Sequence, residues 1–551
     1  MKKRSNIKIM LRLIQLVKPL TVFMLLAILM GVVGHLAATF IPIFGSLAVV
    51  KVMGLRGPLT IHVIFILLVI LAVVRGILRY AEQAFNHYLA FKILAIIRDR
   101  VFKALRRLAP AKLAHKDKGD LISVITSDVE LLEVFYAHTV SPICIAGIYT
   151  VIMTVFIGHF YWVLGLIALL AYLTIGILVP IIVTKFSHEG LAYRQTTGKM
   201  SSFVLDSLRG LSEIIQYDRG VQRLTSMNQQ SADLAQYEEK MKLRTGKNIA
   251  MTSAIIICFD VLMLLVAARY YLVGTIGFSA VILATVTLMS SFGPVIALAN
   301  LGSTLENTFA AGNRVLDILD EEPVTKVITN QAEVAYQGAA LENISFAYDQ
   351  EQILHDITMD FDKGKIIGIK GKSGSGKSTI LKLLMRFWEV DQGRVAISGR
   401  SVNEINTANL REIESFVTQE THLFKDTIYA NLKIAKPHAT KTEMEQACQK
   451  AAVHDLIMSL PKGYETQVGE LGDLLSDGEK LRLGVARAFL HDGDLLLLDE
   501  PTSNVDSLNE AIILNSINNE KGKRTVILVS HRNSTLRVAD RIYELKEERE
   551  S

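Results

Sequence analysis

Up to about residue 302 the chain consists of long apolar runs broken by short polar stretches, and beyond about 338 it changes to short β-type runs mixed with helical ones. A helix needs about 20 apolar residues to cross the hydrocarbon core of a bilayer. Six stretches meet that length, at roughly 20–50, 59–80, 138–158, 161–184, 249–273 and 278–302. Lys and Arg concentrate in cytoplasmic connections. Here they fill the N-terminus "MKKRSNIKIM", the 81–137 connection (Arg98, Arg100, Lys103, Arg106, Arg107) and the 185–248 connection, while the alternate connections "KVMGLRGP", "GHFYW" and "YLVGTIG" are short. The pattern therefore predicts both termini on the inner side. The apolar run after the basic N-terminus is too long for a signal-peptide core, so this segment is expected to be retained, helical along the membrane surface.

The two inner connections are too long for plain loops. In "YLAFKILAIIRDRVFKALRRL", Leu89, Ile93, Ile96, Ile97, Val101, Leu105 and Leu108 recur every three or four residues, which is helical spacing. Each connection is expected to be two helical arms, each reaching about 40 Å at 1.5 Å per residue. Pro110, Gly119, Gly210 and Gly220 mark the expected turning points. "TLENTFAAGNRVLDILDEEPV" reads as a helix leaving the membrane and stopped by Pro323. The later runs "KIIGIK", "RVAISG", "LLLLD" and "RTVILVS" alternate with helices, predicting an α/β domain with a largely parallel sheet. The expected division is 1–322 for an all-α membrane domain of six helices and 323–551 for the α/β domain.

Composition agrees with this split. Half of the 551 residues are hydrophobic and 21% are charged, an unusual balance for a soluble chain. A net charge of +5 with many acidic residues gives no case for nucleic acid, and a basic face toward anionic lipid is the expected use. Cys144, Cys258 and Cys448 lack metal-type spacing and are read as buried small hydrophobes.

The α/β half carries the chemistry. Residues 371–379, "GKSGSGKST", fit G-x-x-x-x-G-K-[ST] between the strand "KIIGIK" and the helix "STILKLLMRFW". Glycines at 371, 374 and 376 let backbone N–H groups, together with those of Ser373, Ser375 and Thr379, wrap phosphate; Lys377 reaches the terminal phosphates and Ser378 can ligate Mg²⁺. The strand "LLLLD" ends in Asp499 and Glu500. An acid at the end of a buried strand is costly without a cation or water to serve, so Asp499 is expected on the Mg²⁺ shell and Glu500 on the attacking water. "TVILVS" delivers His531, which could touch the γ-phosphate.

In order, Tyr348 in "FAYDQ", the 371–379 loop, Gln419 in "VTQETHLF", "LLSDGEKLRLGVARA", "LLLLDEPTSNVD" and "VSHR" resemble an ABC-transporter nucleotide-binding domain. With six spans in front, the whole chain resembles a half-transporter of the exporter-type (type IV) fold. The resemblance implies ATP and Mg²⁺ as cofactors, ATPase activity coupled to transport, and a bacterial-type plasma membrane location. It further implies that Tyr348 stacks on adenine, that Gln419 links metal and water to the membrane arms, that Ser476 and Gly478 clasp ATP held by a second subunit, and that Asp506 lies across the dimer interface.

The signature reads "LSDGE" where the family usually has LSGGQ. Two like charges about 4 Å apart repel by about 4 kcal/mol at an effective dielectric of about 20, an upper bound if Mg²⁺ screens them. Asp477 and Glu479 are therefore expected to weaken one site, and a different half-transporter is favoured as partner over a homodimer.

Ionisable residues at membrane depth usually face a cavity or a partner. Candidates for substrate contact are His35, Arg75, Arg79 and Asp260, with Asp260 open between a cavity and an interhelical pair, and Arg75 and Arg79 open to snorkelling. "AATFIPIFGSLAV" and "RYAEQAFNHYLAFKILAIIRDRVFKALRRLAPAKL" are similar to the CydC-type branch linked to cytochrome bd assembly, which implies a thiol compound or haem as cargo. Drug, lipid and peptide exporters, siderophore importers of the same architecture, and a regulatory half with an impaired ATPase site remain the alternatives.

Overall fold

The computed structural model describes residues 4–16, 18–54, 59–114, 116, 118–185, 189–299, 302–348, 351–469 and 474–545. Outside them lie the first three residues, residue 17, residues 55–58 of the first outer connection, 115 and 117 at the first turning point, 186–188, 300–301 at the end of the last predicted span, 349–350 after Tyr348, 470–473, and the tail 546–551. The chain divides into two compact units, Met1–Leu105 with Lys116–Glu321, and Arg106–His115 with Glu322–Ser551.

The first unit is helical. Among the described residues, six helices are long and apolar enough to cross a membrane: Lys18–Val52, Ile61–Leu108, Gly119–Gly158, Trp162–Ile182, Gly220–Leu272 and Phe278–Ala299. The arms are continuations of the spans. Residues 61–108 form one helix of 48 residues and 220–272 one of 53, and neither contains proline to interrupt the backbone ladder. Gly210 and Gly220 stand at helix boundaries as expected. Gly119 stands there too, as the second residue of the helix Lys118–Ser123.

The sixth span is broken between Phe278–Ser290 and Gly293–Ala299. Pro294 follows the break, lacking an N–H and crowding the carbonyl four residues back. In hydrocarbon, backbone and hydroxyl groups freed there need protein partners. Thr39 donates to the Ser290 carbonyl at 3.4 Å, and the Tyr172 hydroxyl pairs with Ser291 Oγ at 2.6 Å. Thr39 also pairs with the Tyr149 hydroxyl. These bonds tie the first, third, fourth and sixth spans through a buried cluster around Tyr149, Tyr172 and Phe292.

The N-terminal helix Asn6–Leu16 buries Ile9 and Leu13. They pack at Gly312 of the helix Gly302–Asp320, where a side chain would meet Leu13 at 3.1 Å and Ile9 at 3.2 Å. Arg4 pairs with Asp317 at 2.5 Å and Asp320 at 3.1 Å, and Arg12 with Asp320 at 2.5 Å. Of the cysteines only Cys448 is buried. Cys258 is exposed, since its side of the fifth span turns away from the bundle.

The second unit has two sheets rather than one. β1 (Gly338–Tyr348), β2 (Glu351–Asp362), β4 (Gln392–Ile397) and β5 (Arg400–Ser401) form an antiparallel sheet in the order β2-β1-β4-β5. "RVAISG" belongs there and not to the parallel sheet, because a short Ser398–Gly399 turn with positive φ returns it directly to β5. β3 (Ile366–Gly371), β6 (Glu414–Val417), β7 (Leu495–Asp499), β8 (Thr525–Val529) and β9 (Arg541–Leu545) are ordered β6-β7-β8-β3-β9, every pairing parallel. β7 and β8 are buried at every position, as sheets covered on both faces require.

Candidate functional site

In an open parallel sheet, ligands bind beyond the carboxyl ends of the strands. The register sets Asp499 beside Val529 and Val529 beside Ile369, so β7, β8 and β3 end together. That alignment brings Glu500, His531 and the 371–379 loop to one edge. Gln419, two residues past the end of β6, is exposed on the neighbouring strand.

The loop after β3 turns through Gly374 (φ 86°) and Gly376 (φ 89°), a region costly for other residues. A side chain on Gly376 would meet Leu354 at 2.6 Å, and one on Gly371 would meet Ser375 Oγ at 2.5 Å. Lys377 opens the helix Lys377–Leu384, and its ammonium donates to the carbonyls of Gly371 at 2.9 Å and Lys372 at 2.7 Å. Burial lowers its pKa, opposed by Glu500 and Asp499. Ser375 Oγ is buried and has no hydrogen-bond partner. An orphaned hydroxyl in a glycine-bearing loop that runs into a helix N-terminus fits a phosphate. Ser373 and Gly374 are exposed and Thr379 is buried.

Asp499 is buried, and its carboxyl is raised above the usual range by that burial while a bond from Ser378 holds it down. A hydroxyl and a carboxylate side by side offer hard oxygen ligands, the set that suits Mg²⁺ with phosphate oxygens completing the shell. Glu500 has φ 50°, its N–H donates to the Val529 carbonyl at 3.0 Å, and its Oε1 lies 2.9 Å from His531 Nδ1. A non-glycine residue at positive φ aims its side chain away from the strand direction and often marks a functional site.

Tyr348 ends β1 with its hydroxyl 3.5 Å from Thr379 Oγ1. Its ring stands edge-to-face with Trp388 at 5.5 Å, and Lys382 Nζ lies 5.6 Å from the Trp388 ring centre. Sequence reading did not find Trp388, which lies in no motif and shows no periodicity.

The signature segment forms the start of the helix Asp477–His491. Ser476 is its N-cap in a reciprocal box with Glu479, whose Oε2 accepts the Ser476 N–H at 2.7 Å. Glu479 is therefore committed to its own helix end, which reduces the expected repulsion to Asp477. The Asp477 side chain is 80% exposed, 3.5 Å from Lys480 Nζ. Gly478 is tight: a side chain would meet the Asn504 carbonyl at 2.5 Å. Asp506 caps the helix Ser507–Asn518, accepting from Leu508 and Asn509 N–H groups.

Of the membrane candidates, Arg75 and Arg79 are both near enough for their charges to act on His35. His35 packs edge-to-face on Tyr149 at 6.1 Å, Arg79 pairs with the buried Glu82 at 2.9 Å, and Arg75 is exposed. Asp260 stands apart from them near Tyr172, its Oδ1 buried without a hydrogen-bond partner. None of the four lines the cavity of about 630 Å³ bounded by residues of the third, fourth and sixth spans, among them Ala146, Thr150, Tyr172, Gly176 and Val295.

Comparison with known proteins agrees with both halves. Residues 354–503 match the family model described as ABC transporter, and residues 24–295 match that described as ABC transporter transmembrane region. The chain belongs to the ABC transporter family. It is 45% identical over 542 residues, 98% of each chain, to a Haemophilus influenzae protein named "Probable ABC transporter ATP-binding/permease protein". It is 29% identical to an ATP-dependent lipid A-core flippase of that species, over 85% of this chain and 81% of the other. A solved bacterial Atm1-family ABC exporter with ATP bound shares the fold, with a TM-score of 0.82, 22% identity, and coverage of 96% and 93% of the two chains. The ABC half-transporter is thus an integral membrane, ATP-hydrolysing translocase subunit of exporter architecture.

Proposed function

We propose that this half-transporter works with a different half-transporter, each lending part of every ATP site, and that the pair exports an apolar or amphipathic small molecule from the cytoplasmic side, where both termini lie. The observation that carries the ATP half is the convergence on one sheet edge of the unpartnered Ser375 Oγ, Lys377, the Ser378–Asp499 pair and the Glu500–His531 pair.

In this reading the 371–379 loop and Lys377 hold the β- and γ-phosphates and Tyr348 holds the adenine. Ser378, Asp499 and Gln419 would hold Mg²⁺, which neutralises charge on the transferred phosphoryl group. Glu500 accepts the proton of the water that attacks γ-phosphorus as the bond to the ADP oxygen breaks, and His531 Nδ1 holds the Glu500 carboxylate in place. Ser476 and Gly478 clasp the partner's ATP, and Asp506 faces the partner. Differential nucleotide affinity for the open and closed pair then drives the spans, because equal affinity would shift nothing. A different partner is favoured by Asp477, an exposed carboxylate at the head of the signature helix. Purification of this chain alone as an ATPase-active two-fold dimer would overturn that part.

For the cargo, the cavity among the third, fourth and sixth spans offers, among the described residues, only Thr150 and Tyr172 as polar side chains. Arg79 is already paired with Glu82, so a cationic pocket for glutathione carboxylates or haem propionates has less support. The name of the flippase relative points the same way. The test is ATPase stimulation of the assembled pair in lipid nanodiscs by hydrophobic cations, lipid, reduced glutathione and haem. Stimulation by the first two is expected; stimulation by glutathione or haem alone would restore the CydC-type reading.

A further inference from the structure

Two segments leave the parallel sheet side by side, 500–506 after β7 and 530–536 after β8, the second closing in the short helix Asn533–Leu536. Glu500 and His531 sit at their bases, and they must keep a fixed separation if one carboxylate oxygen is to stay on an imidazole nitrogen at 2.9 Å. Their backbones share only the single Glu500 N–H to Val529 bond across this gap. Beyond it lies a second polar cluster. The Glu510 carboxylate oxygen Oε1 accepts from Thr502 Oγ1 at 3.3 Å and from Thr535 Oγ1 at 3.1 Å, and the two hydroxyls lie 3.2 Å apart. Its other oxygen is 3.8 Å from Arg532, the residue after His531. Thr502 and Thr535 are buried. Glu510 itself is in the first turn of the helix Ser507–Asn518, whose backbone N–H bonds hold it through Asp506.

We infer that Glu510 is a positioning residue for ATP hydrolysis: it clamps the loop carrying Glu500 to the loop carrying His531. It touches no reacting atom and acts through Thr502, Thr535 and Arg532. Hydrogen bonds to an ionised acceptor are stronger than neutral ones, and buried hydroxyls whose acceptor is removed oppose the packed arrangement. Without the carboxylate the two threonines keep only each other, and the Glu500–His531 distance loses its second restraint. Displacements of about 1 Å at a reacting centre cost on the order of 100-fold in rate, so partial loosening should cost less. The bonds of Glu510 run to Thr502, Thr535 and Arg532 rather than to the phosphate loop, so ATP binding should be spared.

The inference rests on Glu500 and His531 acting as the reacting pair. The experiment compares Glu510→Ala, Glu510→Gln, the double variant Thr502→Val/Thr535→Val and, as a separate arm, Glu500→Gln, all in the full-length assembled transporter. Steady-state ATPase and equilibrium binding of a fluorescent ATP analogue are measured. Glu510→Ala and the double variant should lower kcat about 10-fold with KM and analogue affinity within about two-fold of the parent. Glu510→Gln, whose amide oxygen still accepts both hydroxyls, should restore most of kcat. A raised KM with kcat intact, or parental kcat in the double valine variant, overturns the clamp. Should Glu510→Ala fail to accumulate, the Gln and double valine variants decide alone. If Glu500→Gln also turns over normally, the assignment of the reacting pair falls with it; if it is dead while the clamp variants are normal, only the clamp falls.

Discussion

Both halves of this half-transporter bury polar groups in apolar surroundings, and they dispose of them differently. In the ATP half, polar atoms from the ends of three parallel strands converge, and some are left waiting: Ser375 Oγ is unpartnered, and Asp499 stays raised by burial despite the Ser378 bond and the charges of Lys382 and Lys377. In the membrane half, hydroxyls pair off across spans, Thr39 with Tyr149 and Tyr172 with Ser291, and close a break in the sixth helix. A buried polar group without a partner costs more than a satisfied one yields. Convergent, unsatisfied groups are therefore tolerated where a ligand completes them, and dispersed, satisfied groups hold architecture. Asp260 Oδ1, Ser141 Oγ, Thr154 Oγ1 and Thr287 Oγ1 lie within the spans buried and unpartnered, and they depart from this pattern.

The largest expected effect that separates the two classes is at Glu500. Glu500→Gln keeps size and much of the hydrogen bonding to His531 but removes the proton acceptor, so ATP turnover should fall by about 100- to 10,000-fold. ATP binding should persist, which equilibrium binding of an ATP analogue checks. If turnover survives, the polar atoms of the ATP half are architectural too, and the contrast disappears.

Tyr172→Phe probes the other class. It deletes one buried hydroxyl pair, but Ser291 Oγ retains its own bond to the Leu288 carbonyl at 2.8 Å. The loss should be about 1 kcal/mol of stability, seen as a small drop in melting temperature of the lipid-reconstituted protein, with basal ATPase close to parental. A collapse of transport with unchanged melting would move Tyr172 from architecture to cargo handling.

A pH-dependent effect concerns Glu414, at the start of β6. Its carboxyl is buried, its pKa is pushed up to about 8 by burial, and Arg411 and Arg386 only partly offset this. A carboxyl raised in the folded state binds more protons there than in the unfolded state between its ordinary value near 4.5 and about 8, so stability falls as pH rises through that window. Glu414→Gln should flatten this slope. Melting temperatures at pH 5.5 and pH 8 should differ less in the variant; an unchanged difference would show that Arg411 already keeps Glu414 ionised.

Much of this molecule follows from the chain alone because its signals are local or periodic. Twenty-residue apolar runs, a helical repeat in the arms, and the "GKSGSGKST" and "LLLLDEPTS" strings each specify a helix, a span or a strand-end loop without reference to the rest. The six spans and the order of the ATP-domain motifs were readable for that reason. Other features depend on which distant residues meet. The split of the strands into two sheets, the Trp388 brace on Tyr348 and the Thr502–Glu510–Thr535 cluster carry no periodic or motif signal, whereas the Ser476-x-x-Glu479 spacing is a legible capping box. Side-chain pairing between separate loops is decided by packing and register, and those are settled only when the sheet assembles.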